Sequence, residues 1–209
     1  MKQLLFYFFF VATTCNAQSK KELYFDTDST AITKNEFIKR TDHAINVGGS
    51  VEKNGVVINK LFIRKKIDTL VPEKYIQLRK YLNMSGSNFD NQIIVINYYS
   101  GLDTVLPNEG RSQWNLYNKN YAKKLKKMGN ISQFWIYKYD KNLSHHHADE
   151  INWHHDKSGL IEKTFFPYHF NFGSCAVILP NGKYYTYFGE YGYDEVFAGI
   201  DELKKNHAN

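Results

Sequence analysis

Sulfur is scarce in this chain. Its 209 residues contain two cysteines, Cys15 and Cys175. Cys15 falls inside an N-terminal segment that reads as a cleavable leader, so the mature protein is expected to keep one thiol and no intramolecular disulfide. Long apolar runs are also missing: after residue 17 no stretch is long and apolar enough to span a bilayer. There is no internal repeat and no low-complexity linker. A phosphate loop, a GxSxG elbow and an HExxH pair are all absent, so the reaction classes those motifs announce have no support.

The leader itself is explicit. Lys2 supplies a positive start, Leu4 to Ala12 form a short apolar core, and Cys15-Asn16-Ala17 places small residues before a cut between Ala17 and Gln18. A helix of that length crosses about half of a bilayer's hydrocarbon core, which suits a signal peptide rather than an anchor. A lipoprotein with Cys15 acylated fits less well, because Ala12-Thr13-Thr14 lacks the expected Leu three before the cysteine and the small residue just before it. The expectation is an exported protein, periplasmic or extracellular, with an unknown protein or envelope component as partner. The formal charge of +6 would suit nucleic acid in another compartment, but export argues against that. A mildly basic soluble surface is the plainer reading, with anionic lipid or polysaccharide as the alternative. With no disulfide to staple it, the fold must rest on a hydrophobic core, and 16% aromatic residues can supply one.

Periodicity outlines the elements. From Glu22, ELYFD alternates like a strand. Thr33 and Glu36 have the spacing of a capping box that opens a helix running to about Arg40. Two strand-like runs, around 43–51 and 56–64, flank a turn at Lys53-Asn54-Gly55. Pro72 opens a helix with Tyr75, Leu78 and Leu82 on one face. Gln92–Tyr99 is a continuous apolar run, as a strand buried on both faces requires. The spacing of Trp114, Tyr117, Tyr121, Leu125 and Met128 predicts one helix over 111–128, ended by Gly129, with lysines on its other side. Gln133–Asp140 alternates as a strand. Ser174–Tyr191 reads as two strands joined at Asn181-Gly182, and Asp194 is placed to cap a final helix with Val196, Phe197, Ile200 and Leu203 inward.

The order strand, helix, strand, insertion, hairpin, helix over 92–205 resembles a thioredoxin-like domain. IIVINYYSG resembles that family's central strand entering its active-site loop, and ILPNGKYYTYFGEY with the terminal helix resembles its closing hairpin and helix. The resemblance implies an α/β fold with a central mixed sheet flanked by helices, preceded by an extension of short strands and helices over 18–91 that packs against it. The domain over 92–209 would carry a His-rich insertion at 141–160. In the family, two cysteines just after the central strand exchange disulfides. Here the loop SGLDTVLPNEGRSQW has no sulfur, and the proline usual before the hairpin strand is replaced by Asn171-Phe172-Gly173-Ser174-Cys175. The implied scaffold has therefore lost dithiol exchange, and Cys175, sharing a strand face with Val177 and Leu179, reads as a core thiol.

Three functions remain open. The first is a non-catalytic binding or structural role, with Phe165, Phe166, Tyr168, Phe170 and Phe172 either core or a docking surface. The second is capture of Zn²⁺ or Cu²⁺. SHHHADEINWHHD, 144–156, holds five of the chain's eight histidines; on a helix His146, Glu150 and His154 would share a face with His147 beside them. Yet His, Asn and Asp favour turns, and a polar insertion anchored by Ile151 and Trp153 is the plainer expectation. The third is an enzyme built around Asp103 and Glu109. Asn83, Asn130 and Asn142 head glycosylation sequons that matter only in a host that glycosylates.

Overall fold

The computed structural model describes residues 20–83, 91–101, 112, 114–170 and 172–205. Over them the chain is an α/β protein with two mixed sheets, of four and six strands, and five α-helices. None of these helices is long and apolar enough to cross a membrane.

The first sheet runs β2-β1-β4-β3, from β1 (Lys21–Phe25), β2 (Ala31–Ile32), β3 (Asn46–Lys53) and β4 (Val56–Ile63). β1 lies parallel to β4, and β3 and β4 form a hairpin. Its turn residues Asn54 and Gly55 both have positive φ, 52° and 75°, the geometry an Asn-Gly pair adopts at least cost. Between β2 and β3, α1 (Lys34–Arg40) begins with the expected capping box: Thr33 Oγ1 accepts from the Glu36 amide at 3.2 Å, and Glu36 Oε2 accepts from the Thr33 amide at 2.8 Å. Satisfying those orphan donors stabilises a short helix by about 1 kcal/mol.

The second sheet runs β5-β10-β9-β6-β7-β8, from β5 (Lys65–Thr69), β6 (Ile93–Tyr99), β7 (Ile131–Tyr137), β8 (Trp153–His155), β9 (Ser174–Ile178) and β10 (Lys183–Phe188). β6, β7 and β8 are parallel; β9 is antiparallel to β6, and β10 to both β9 and β5. Every residue of β6 is buried, and its pleat feeds two cores. Ile94, Ile96 and Tyr98 meet Leu78 and Leu82 of α2 (Pro72–Asn83) and Ile161 and Phe165 of α4 (Leu160–Phe165). Ile93 and Val95 meet Tyr121 and Leu125 of α3 (Lys119–Met128) and Val196, Ile200 and Leu203 of α5 (Tyr193–Lys205). Helices thus cover both faces, which is why the central strand carries no polar face.

The two sheets are tied together. Arg64, between β4 and β5, is buried and donates from Nη1 to the carbonyls of Phe188 at 3.3 Å and Glu190 at 2.9 Å. Phe62 of β4 packs edge-on against Phe170 and Phe188, with centroids 5.2 and 5.9 Å away. Each such ring pair adds about 1 kcal/mol beyond its burial.

Some elements differ from their sequence outline. The 111–128 helix is shorter: a 3-10 turn at Asn115–Tyr117 precedes α3, which starts where the Asn118 side chain accepts from the Asn120 amide. Residues three apart stack in a 3-10 turn as well as in an α-helix, so the spacing of Trp114 and Tyr117 did not distinguish them. Asp194 lies within the first turn of α5, and Glu195 is the residue that accepts from the Gly192 amide, at 2.8 Å. β5, from ahead of Gln92, forms one edge of the six-stranded sheet, β8 from within the histidine segment forms the other, and α4 follows that segment.

Candidate functional site

Among the described residues, the end of β6 carries a built polar site. Past Tyr99 the chain stays beside β7 because the Lys138 amide donates to the Tyr99 carbonyl at 2.9 Å and the Tyr139 amide to the Ser100 carbonyl at 3.2 Å. Gly101 then turns away with φ 78°, where a Cβ would run into the Tyr139 carbonyl; only glycine lets the chain leave there. Opposite, the segment after α4 passes Phe166 to Phe170 and re-enters the sheet through Gly173, at φ 82°, against the Tyr98 carbonyl. These two turns set Ser100 Oγ 2.8 Å from His169 Nδ1. The main chain of His169 also exchanges hydrogen bonds with Ser50 of β3.

Around this pair lies a cleft of about 460 Å³ between the two sheets. Ser50, Glu52 and Val57 come from the first sheet, and Tyr98, Phe166 and Tyr168 form an aromatic wall, with the Tyr98 and Phe166 rings stacked at 4.8 Å. Glu162 of α4 faces in and pairs with Lys138 at 3.1 Å. Burial works against the Lys138 charge, but the Glu162 carboxylate outweighs it and holds the ammonium above its usual range. Burial lifts the Tyr98 hydroxyl above its ordinary value, with Glu162 and Asp156 adding to the effect, so it stays a neutral donor. A cleft of this size with an apolar wall and a few convergent polar groups is the usual form of a small-ligand or peptide site. An arrangement of Ser, His and Glu side chains offers hydrogen bonds and charge to such a ligand.

The histidine segment is not one helix. Leu143–His146 is a 3-10 turn, His147 has a left-handed backbone, and Trp153–His155 is β8. His146 is 3% exposed, lies against the Tyr99 ring at 4.2 Å and shares a hydrogen bond of 2.9 Å with Tyr117 through Nδ1. Burial, followed by His145 and His147 nearby, drives it down to about 4; its Nε2 is buried without a partner, so a second proton would have no acceptor. His147 donates from Nε2 to the Ser112 carbonyl at 2.8 Å, and its Nδ1 is 3.9 Å from Glu150. His154 lies on the other face of the sheet, beside Leu82, Phe134 and Ile136. His155 stacks on Tyr137 at 5.0 Å. Among the described residues no three His, Cys, Asp or Glu side chains gather as a metal-holding group. The segment's polar groups serve the fold: Trp153 Nε1 donates to the His146 carbonyl, and buried Asp156 accepts from Tyr81 at 3.0 Å and from the Glu162 amide at 2.9 Å, starting α4.

Cys175 is fully buried beside Val177 and Leu179, and burial, with Glu195 adding, pushes its thiol far above the ordinary range. Of the aromatic run, Phe165, Phe166 and Phe170 are core, Tyr168 lines the cleft and Phe172 is exposed. Asp103, Glu109, Cys15, the leader and Met84-Ser85 of the first sequon lie outside the described residues. Ser100 and His169 carry no spacing signal, being 69 positions apart; only a polar pair closing an apolar strand and an aromatic run hinted at them. No protein-family model matches this chain, and no curated protein matches it in sequence.

Proposed function

We propose that this chain is an exported, thioredoxin-like protein that has given up dithiol exchange and acts as a non-catalytic binding protein, holding an envelope component in the cleft beside Ser100 and His169. The strand order β10-β9-β6-β7 supports the thioredoxin-like reading, with β6 and β7 parallel across α3 and the β9–β10 hairpin leading into α5. A dithiol reaction needs two neighbouring thiols, one of them an accessible thiolate, and among the described residues Cys175 is buried with no second thiol beside it. The observation that carries the binding reading is the cleft's position. It opens at the C-terminal end of the central strand, the end at which that family places its reactive cysteines, and here it presents a hydroxyl, an imidazole and aromatic rings.

Two measurements test this. The mature protein is expected not to accelerate the reduction of insulin by dithiothreitol above the rate without protein, and an impermeant thiol reagent is expected to label Cys175 only after denaturation. Catalytic insulin reduction would overturn the redox-inactive reading. Second, the wild-type chain and a Val57→Trp variant, which fills the cleft from β4, are used as bait against extract of the native envelope. A component retained by the wild type and lost with the variant supports the cleft as the site; equal retention moves the site elsewhere.

A further inference from the structure

Past Ser50 the edge of β3 is open. The Ser50 amide donates to the His169 carbonyl at 3.2 Å, and the His169 amide to the Ser50 carbonyl at 2.9 Å. On Ser50, then, both groups point away from β4, and the alternation of an antiparallel strand aims those of Glu52 the same way. Were the pairing to continue, Glu52 would meet Pro167, two residues before His169. Proline has no N–H to give, and a ladder stops at it. The contact accordingly remains an isolated bridge, and outside the β3–β4 ladder the Glu52 amide and carbonyl bond no described backbone group. Glu52 and Pro167 both line the cleft, so this open edge borders it.

The chemistry of the walls is one-sided. Glu52 and Glu162 bring two carboxylates, and no lysine or arginine is among the lining residues; Lys138 holds Glu162 at 3.1 Å, so a ligand cation would share that carboxylate with it. Lys20 holds Glu52 at 2.7 Å, but both side chains of that pair are more than half exposed, so solvent screens it and a ligand can replace it at little cost. Tyr98, Phe166, Tyr139 and Tyr168 add rings, whose faces attract cations and cover aliphatic stems. An anionic ligand would meet repulsion here. A neutral saccharide would stack on the rings and donate hydroxyls to the carboxylates, but it would leave the strand edge unused.

Resting on the reading of this cleft as the binding site, we propose that its occupant is an extended peptide segment bearing a lysine or arginine, which adds to β3 at Glu52 through main-chain hydrogen bonds and sets its cation among Glu52, Glu162 and the aromatic wall. Strand addition supplies affinity that any sequence can use, and the charged pocket supplies selection. The volume of about 460 Å³ suits the few residues such a contact needs.

The experiment uses the full mature chain and calorimetric titration with short acetylated, amidated peptides of alternating threonine and valine around a central lysine. Replacing that lysine by norleucine is expected to weaken binding about tenfold, and by glutamate further, since a charge pair in a partly buried site is lost or reversed. Methylating the backbone nitrogen that faces Glu52 is expected to cost about fivefold, the worth of one main-chain hydrogen bond. Glu162→Gln, which also takes the carboxylate away from Lys138, should weaken the lysine peptide much more than the norleucine peptide. Glu52→Gln, at an exposed position, repeats that test should Glu162→Gln fail to fold. Equal affinity for the lysine and norleucine peptides, indifference to methylation, or displacement by a neutral oligosaccharide in place of a basic peptide would each overturn the proposal. If the envelope bait is lost in Val57→Trp yet no peptide binds, the ligand class falls and the cleft stands; if both fail, both readings fall.

Discussion

Ser100 Oγ and His169 Nδ1 lie 2.8 Å apart, joining the residue just past the central strand to the residue whose main chain reaches the other sheet at Ser50. Ser100 is 8% exposed, so the contact is sheltered from solvent and should count for more than a surface hydrogen bond. A double-mutant cycle with Ser100→Ala and His169→Ala is expected to give a coupling of about 1 kcal/mol in urea unfolding. Each single variant should retain the Ser50 bridge, which is made by backbone atoms. A coupling indistinguishable from zero would mean that the side chains do not hold each other in solution.

His146 gives the stability a definite pH dependence. Its folded value is depressed from the ordinary 6.5 to about 4, chiefly by burial and then by His145 and His147. The unfolded chain therefore binds more protons than the folded one between those values, and stability falls as pH falls. The contribution is fully present above pH 6.5 and is lost progressively down to about pH 4. Between pH 7.5 and 4.5 the expected loss from this group is about 2 to 3 kcal/mol. His146→Phe keeps a flat ring against Tyr99 and removes the titration, so its urea midpoint should fall less over the same interval. Parallel pH profiles for the two proteins would assign the slope to another group.

Much of the fold was legible wherever a residue's partners lie close in sequence. Thr33 and Glu36 cap α1 as their spacing requires, Asn54-Gly55 and Asn181-Gly182 turn the two hairpins, and the unbroken apolar run of β6 lies at the centre of its sheet. The histidine segment was harder, because its residues alternate between fold roles: His146 turns inward, His147 bonds a distant carbonyl, and Trp153 and His154 diverge to opposite faces of a strand. No single periodicity describes that. The cleft was not legible. Ser50, Ser100 and the stretch from Glu162 to His169 come from three separate segments, and only tertiary packing, of α4 and its following segment on β6 and of one sheet on the other, makes them neighbours.

The same geometry speaks to metal uptake. His146 packs against Tyr99 and Tyr117 on the α3 side of the sheet, whereas His154 lines the opposite face beside Phe134. A tetrahedral ion needs its donors within about 2 Å of one centre, and the sheet keeps these two apart. Titrating chelator-stripped protein with Zn²⁺ and Cu²⁺ is expected to give weak, non-stoichiometric uptake by exposed imidazoles. A single saturable site abolished in the His146→Ala/His154→Ala double variant would restore metal capture as a function.

A chain beginning at Gln92 tests how the two parts depend on each other. It would retain β6 to β10 but lose β5, which pairs with β10 from Lys65 to Thr69, and α2, whose Leu78 and Leu82 are 1% and 3% exposed against Ile94 and Ile96. Removing one buried leucine side chain costs about 2 to 5 kcal/mol, and a domain's whole margin is about 5 to 15 kcal/mol. Losing both leucines, the edge strand and the Arg64 clamp together exceeds that margin. The fragment is therefore expected to show no cooperative urea transition and to bind hydrophobic dye. Leu78→Ala in the full chain should remain folded with a midpoint lowered by the single-residue amount. A fragment that unfolds cooperatively with full-length stability would show that the leading segment merely decorates the six-stranded sheet.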